Sequence, residues 1–157
     1  MKTNSIQKVL IALDYDPTAQ KVAEVGYSMA KALNAEATLL HVSVDLAIYS
    51  AAYANMGVWQ MDTQNAIDAY EIASTSSQHF LEKAKRHLVD KSIQVIHKEG
   101  DAAQKILETA AEIKADCIVV GSHSQKWLEN IIMGSVTEEV LRKTTIPMFI
   151  VPTKKRD

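Results

Sequence analysis

At 157 residues the chain suits one domain, long enough to bury a core without disulfide staples or a structural metal. Apolar residues make up 47% and charged residues 23%, and the net charge of −2 supplies no basic field to gather nucleic acid or anionic lipid. The single cysteine, Cys117, excludes an internal disulfide framework and directs the expectation toward a reducing, cytoplasmic setting.

The chain opens MKTNSIQKVLIALDYD, with an apolar run of about six residues before Asp14, well short of a signal h-region. No stretch reaches the roughly 20 apolar residues of a membrane helix, so no membrane association is expected. The first strand is expected over residues 9–13. Asp16 is placed to cap the helix that follows, with Pro17 at its first position, where a missing N–H costs nothing. Val22, Val25, Met29 and Leu33 recur at helical spacing as its apolar stripe.

The second strand is expected over residues 37–42. After an aromatic and methionine-rich connection at 45–62, a long helix is expected over 64–90, with Tyr70, Ala73, Phe80, Ala84 and Leu88 inward. Residues 93–96 read as a third strand whose alternation suits a sheet edge. Asp101 and Gln104 form a capping-box pattern for a helix buried through Ile106, Ala110 and Ile113. A fourth strand over 117–120 leads to a second long connection, 121–134. Ser135 and Glu138 repeat the capping spacing ahead of a helix with Val136, Val140 and Leu141 inward, and residues 148–151 close the chain as a fifth strand.

Nearly continuous apolar runs separated by helical patterns predict an α/β domain, 1–157, with helices on both faces of a five-stranded parallel sheet. Both long connections leave carboxyl ends of strands, where open α/β sheets bind ligands. In the second, Gly121 ends a strand and Gly134-Ser135 begins a helix. The first amides of that helix lack internal partners and suit a phosphate, with the Ser135 or Thr137 hydroxyl as an added donor. Capping alone is the competing explanation of Gly-Ser at that point.

The run VVGSHSQKWLENIIMGSVTEEV resembles the signature of the universal stress protein family, whose nucleotide-binding members carry G-x2-G-x9-G-[ST]. Gly121, Gly134 and Ser135 keep the spacing, and Ser124 stands at the middle glycine. KVLIALDYDPTA, LLHV and IPMFIVP also match, so the resemblance spans essentially the whole chain. It implies strand order 3-2-1-4-5 and a Rossmann-like fold of the adenine nucleotide alpha hydrolase type. It also implies a site: Asp14 near the ribose or adenine, the Val42 main chain at adenine, Gly121 and Ser124 along the ribose-phosphate path, and amides of Gly134, Ser135 and Val136 at phosphates, with Thr137 nearby. Ser124 strains the turn if the middle glycine needs positive φ, crowds phosphates if it gives clearance, or donates a hydrogen bond.

The ligand so implied is ATP or another adenine nucleotide, with or without Mg, held rather than transformed. The alternative is a family member that binds no nucleotide and acts through protein contacts. An enzyme, such as a slow ATPase, lacks a committed general base, an arginine aimed at the loop and a carboxylate pair for metal. No catalytic residue and no protein-held metal are therefore expected. Asp14 and Asp16 also invite a phospho-acceptor reading, but no aspartate ends the third strand. His41 reads as a satisfied, partly buried histidine, His123 as a poor catalyst without a partner, and Cys117 as a small hydrophobe. The aromatic segment containing Tyr49, Tyr53 and Trp59 serves as packing, a lid or a docking surface, with Trp127 against it. With that strand order, residues 147–151, from Pro147 to Val151, form an exposed edge through which a homodimer is expected.

Overall fold

The computed structural model describes residues 5–15, 17–43, 45, 63–122 and 133–153. Within them five strands form one parallel sheet in the order β3-β2-β1-β4-β5: β1 (Lys8–Leu13), β2 (Glu36–Ser43), β3 (Gln94–Glu99), β4 (Cys117–Gly121) and β5 (Met148–Val151). The helices between them are α1 (Ala19–Ala32), α2 (Thr63–His87), α3 (Ala102–Glu112) and α4 (Ser135–Lys143).

Alternation along the strands splits the core into two layers. Val9, Ile11, Leu39, Cys117 and Val119 face α1 and α2, joined by Val22, Ala23, Ala30 and Leu81. Leu10, Leu40, Ile118 and Val120 face α3 and α4, joined by Ala103, Ile106, Ala110 and Val140. The strand runs predicted from apolar residues are all present. β3 continues to Glu99 because His97, Lys98 and Glu99 pair with His41, Val42 and Ser43, an extension that backbone pairing decides and apolarity does not signal.

Two helix starts differ from expectation. Pro17 and Thr18 form a turn, and α1 starts at Ala19, where the chain first becomes buried against the sheet; Asp16, the expected cap, lies outside the described residues. Its buried face is Ala19, Val22, Ala23, Gly26 and Ala30, with Val25 and Met29 packed against the core beside them as expected, while Leu33 is 45% exposed. Small residues win that face because α1 lies close on β1 and β4: a Cβ at Gly26 would stand 3.0 Å from Val119 Cγ1 and 3.1 Å from Ile11 Cδ1. In α4 the N-cap is Gly134 rather than Ser135. The Glu138 side chain pairs with Arg142 one turn on, so the expected capping box is not formed. Val136 and Leu141 are exposed there, and Thr137 and Val140 take the inward positions.

The cap at α3 is as the sequence predicts: Asp101 Oδ1 accepts from the Gln104 N–H at 2.8 Å. The reciprocal half is missing, because Gln104 Nε2 donates to Glu108. In α2, Phe80 and Ala84 pack against the core as expected, with Leu88 just beyond its end, and Ser77 and Leu81 are buried as well. Tyr70 and Ala73 lie outside the described side chains. The turns after α1, α2 and α3 pass through left-handed residues Asn34, Val89 and Lys114, each with φ of 54°.

Candidate functional site

The order of the sheet reverses between β1 and β4, since β1 leads through α1 to β2 on one side while β4 is added on the other. That reversal opens a crevice at the carboxyl edge. β1 pairs Leu13 with His41 on one flank and Ile11 with Val119 on the other. Continuing those registers brings Asp14 level with Val42 and with Ser122, next to Gly121. Residues distant in sequence thus meet at one height above the sheet.

Asp14 is exposed, and its Oδ1 accepts from the Tyr15 N–H at 2.9 Å. The register of β1 on β2 ends at Leu13 and His41, so the Val42 carbonyl stands past its last pair. The Glu36 N–H bonds Gln7, and the same parity turns the Val42 main chain toward β1. The next donor along β1 would be Tyr15 N–H, which is turned onto Asp14. Strand ending and aspartate together therefore bring a main-chain acceptor and a carboxylate to the crevice.

Across the crevice, Gly121 closes β4 in register with Val151. The Ser122 N–H bonds the Val151 carbonyl at 2.9 Å, and Ser122 Oγ accepts from the Thr153 N–H at 3.1 Å. These bonds pin the start of the β4–α4 connection to the end of β5. At its far end Gly134 is buried with φ of −68°, a conformation open to any residue, so what glycine contributes there is the missing Cβ. The first α4 ladder bond runs from the Glu138 N–H to the Gly134 carbonyl at 2.9 Å, leaving the Ser135, Val136 and Thr137 amides outside the ladder. Ser135 and Val136 are exposed. Thr137 is 5% exposed, and its hydroxyl donates to the Gly121 carbonyl at 2.8 Å. That hydroxyl therefore ties helix to strand, and its one proton is spent on the Gly121 carbonyl.

The structure brings Asp14, Val42, Gly121, Gly134, Ser135, Val136 and Thr137 to one edge of the sheet. Ser124, His123, Trp127 and the aromatic segment with Tyr49, Tyr53 and Trp59 lie outside the described residues. Cys117 is buried, and burial pushes its thiol pKa up, in keeping with a small hydrophobe. Among the described residues, no group of three or more His, Cys, Asp or Glu side chains is placed to hold a metal ion. No described helix is long and apolar enough to cross a membrane.

His41 is the satisfied histidine the sequence suggested, but its pairing with His97 beside the crevice was not anticipated. His41 is 4% exposed, and its Nδ1 lies 2.8 Å from the Leu13 carbonyl. His97 stacks parallel to it with ring centroids 6.1 Å apart, and its Nε2 is 2.8 Å from Ser43 Oγ. Phe80 meets His41 edge-on, and Tyr15 tilts against both. Burial first and His41 second hold the His97 pKa below its ordinary value, against an opposing pull from Glu99. The signal available in sequence was a histidine near the end of each of two apolar runs. The pairing stayed unread because register alone sets those histidines side by side.

The family model described as the universal stress protein family matches residues 5–152. Universal stress protein MJ0531 of Methanocaldococcus jannaschii is 28% identical over 156 residues, covering 98% of this chain and 86% of that protein. Universal stress protein A of Escherichia coli is 25% identical over 149 residues, covering 95% and 96%. Among solved structures, hypothetical protein MJ0577 aligns with a TM-score of 0.72 at 25% identity, covering 97% of this chain and 99% of that one. A universal stress protein in complex with cAMP aligns at 0.65 with 20% identity, covering 96% and 99%. An Arabidopsis thaliana family protein with AMP bound aligns at 0.59 with 18% identity, covering 93% and 91%.

Proposed function

The chain belongs to the universal stress protein family, and from that premise we propose that it holds an adenine nucleotide at the β1–β4 crevice as a regulatory module, without turning it over. The observation that carries this reading is α4: a helix N-terminus capped by Gly134, its first three amides outside the ladder, tied by Thr137 to the strand end at Gly121. A helix start of this kind attracts phosphate through its N–H groups and its dipole. By continued register Asp14 and the Val42 main chain come level with the end of β4, and we assign them to the ribose and base. That related folds hold cAMP and AMP supports adenine as the base.

ATP is the nucleotide we expect, with Ser124 on its phosphate path. Any Mg would be held mainly by the phosphates, since no carboxylate cluster meets it among the described residues. We expect binding without turnover because the described part of the site gathers main-chain donors at α4 and no nucleophile paired with a base. The experiment is to denature the purified protein, identify any released ATP, ADP or AMP by chromatography, and titrate the emptied chain. Released nucleotide or saturable binding supports the reading. No release and no binding at millimolar ATP would sink it, and steady phosphate release abolished by a Gly134 substitution would replace it with an enzyme.

A second reading has its own support: α4 leaves Val136 and Leu141 exposed at 39% and 45%. A chain that bound no nucleotide would act through such apolar positions as a protein-contact module. The homodimer belongs to the proposal on separate grounds. Among the described residues β5 pairs with β4 alone, with Phe149 40% exposed on it, so two copies can join there about a two-fold axis. A monomeric mass at micromolar concentration would overturn it. One domain, working in the cytoplasm, completes the proposal.

A further inference from the structure

We infer that His41 is a positioning residue for the crevice, holding the β1–α1 turn that presents Asp14. A carbonyl can only accept, so the 2.8 Å contact makes His41 Nδ1 the donor and Leu13 the acceptor. Leu13 is the last β1 residue in register with β2, and Asp14 follows it directly. From there the chain leaves the sheet, with Tyr15 N–H on Asp14 Oδ1 and the Tyr15 ring 6.2 Å from the His41 ring.

The imidazole is held on its other sides. Phe80 of α2 meets it edge-on at 5.3 Å, and His97 of β3 stacks on it with its own nitrogen engaged by Ser43. On its own face of the sheet the neighbouring strand residues Leu39 and Leu13 are buried and apolar. A polar ring among them costs stability unless bonded, and its bond goes to the carbonyl immediately before the crevice carboxylate. His41 thus acts through Leu13 on Asp14, without reaching a ligand itself. Its effect on affinity rests on the nucleotide proposal, whereas its effect on the turn does not.

Asparagine places an amide N–H near the position of Nδ1, glutamine places one near Nε2, and phenylalanine keeps the ring without a donor. Two quantities distinguish them: amide hydrogen exchange at Asp14 and Tyr15 in the nucleotide-free chain, and ATP affinity by calorimetry. We expect His41→Asn to stay within about threefold of wild type in both. His41→Gln and His41→Phe should exchange about tenfold faster at those amides and bind ATP about tenfold more weakly. In an Asp14→Ala background, His41→Gln should weaken ATP no further. If Asn, Gln and Phe variants exchange alike, the positioning role is wrong. If they differ in exchange as expected while wild-type protein binds no ATP, the nucleotide proposal fails and the positioning role stands. Should His41→Gln not fold, the Phe variant supplies the donor-free arm.

Discussion

The Thr137 hydroxyl donates to the Gly121 carbonyl across 2.8 Å, joining the first turn of α4 to the last residue of β4. One side chain thereby ties together the two ends of the β4–α4 connection. Thr137→Val removes the donor at nearly constant volume and should cost about 1–2 kcal/mol in urea unfolding. It should also weaken nucleotide binding several-fold. Thr137→Ser keeps the donor and gives up a buried methyl, worth about 0.8 kcal/mol, with affinity unchanged. Equal affinity in the two variants would show that the tie does not shape the site.

Gly26 faces Ile11 and Val119 beneath α1, where an added Cβ would come within 3.0–3.1 Å of both side chains. Gly26→Ala gains about 1 kcal/mol of helix propensity but forces both neighbours aside, which costs about 1–3 kcal/mol. Both are fully buried, so the crowding should prevail. The expected outcome is a net loss of about 1 kcal/mol by denaturant unfolding. A stability gain would show that the α1 layer yields more easily than its contacts suggest.

Val89 ends α2 with φ of 54° and is 89% exposed. A β-branched residue in the left-handed region costs roughly 1–2 kcal/mol, and with so little buried surface packing does not offset it. Val89→Gly should therefore raise the melting temperature, with a gain of about 1 kcal/mol after the added entropy of the unfolded chain. Val89→Asn should move it the same way. A fall in melting temperature for both variants would place that residue outside the left-handed region.

His97 predicts a pH dependence. Its folded pKa lies below the ordinary 6.5, chiefly through burial and then through the His41 ring, while Glu99 opposes the shift and Ser43, Phe80 and Tyr15 add no charge. As pH falls through the ordinary value, the unfolded chain takes up this proton before the folded chain does. Stability from the neutral ring is therefore complete above that value and lost on acidification. Unfolding followed from about pH 7 to about pH 5 should show this decline. It should be shallower in His97→Gln, and an unchanged slope would assign the acid sensitivity elsewhere.

Strands and layers were legible along the chain because burial on both faces leaves continuous apolar runs, as in residues 9–13 and 117–120. Asp101 could be read as a cap because a side chain three residues from an amide needs nothing beyond local geometry. The capping box at Ser135 and Glu138 failed for a related reason. With the cap at Gly134, Glu138 falls one residue beyond the third helical position a capping box requires, and its side chain is drawn to Arg142. On α1 the apolar stripe was legible in Val22, Val25 and Met29, which pack against the core, but not the close helix-on-sheet contact that adds Ala23, Gly26 and Ala30 and leaves Leu33 exposed.

By itself, then, the sequence determined the α/β pattern, the glycine spacing and the family, all of which are written in local order and spacing. Tertiary structure alone decided that Asp14 stands level with Val42, that the Thr137 hydroxyl turns inward to Gly121, and that His41 and His97 stack beside the crevice. Those relationships depend on strand register and helix rotation, set by the packing of the two core layers across segments far apart in the chain.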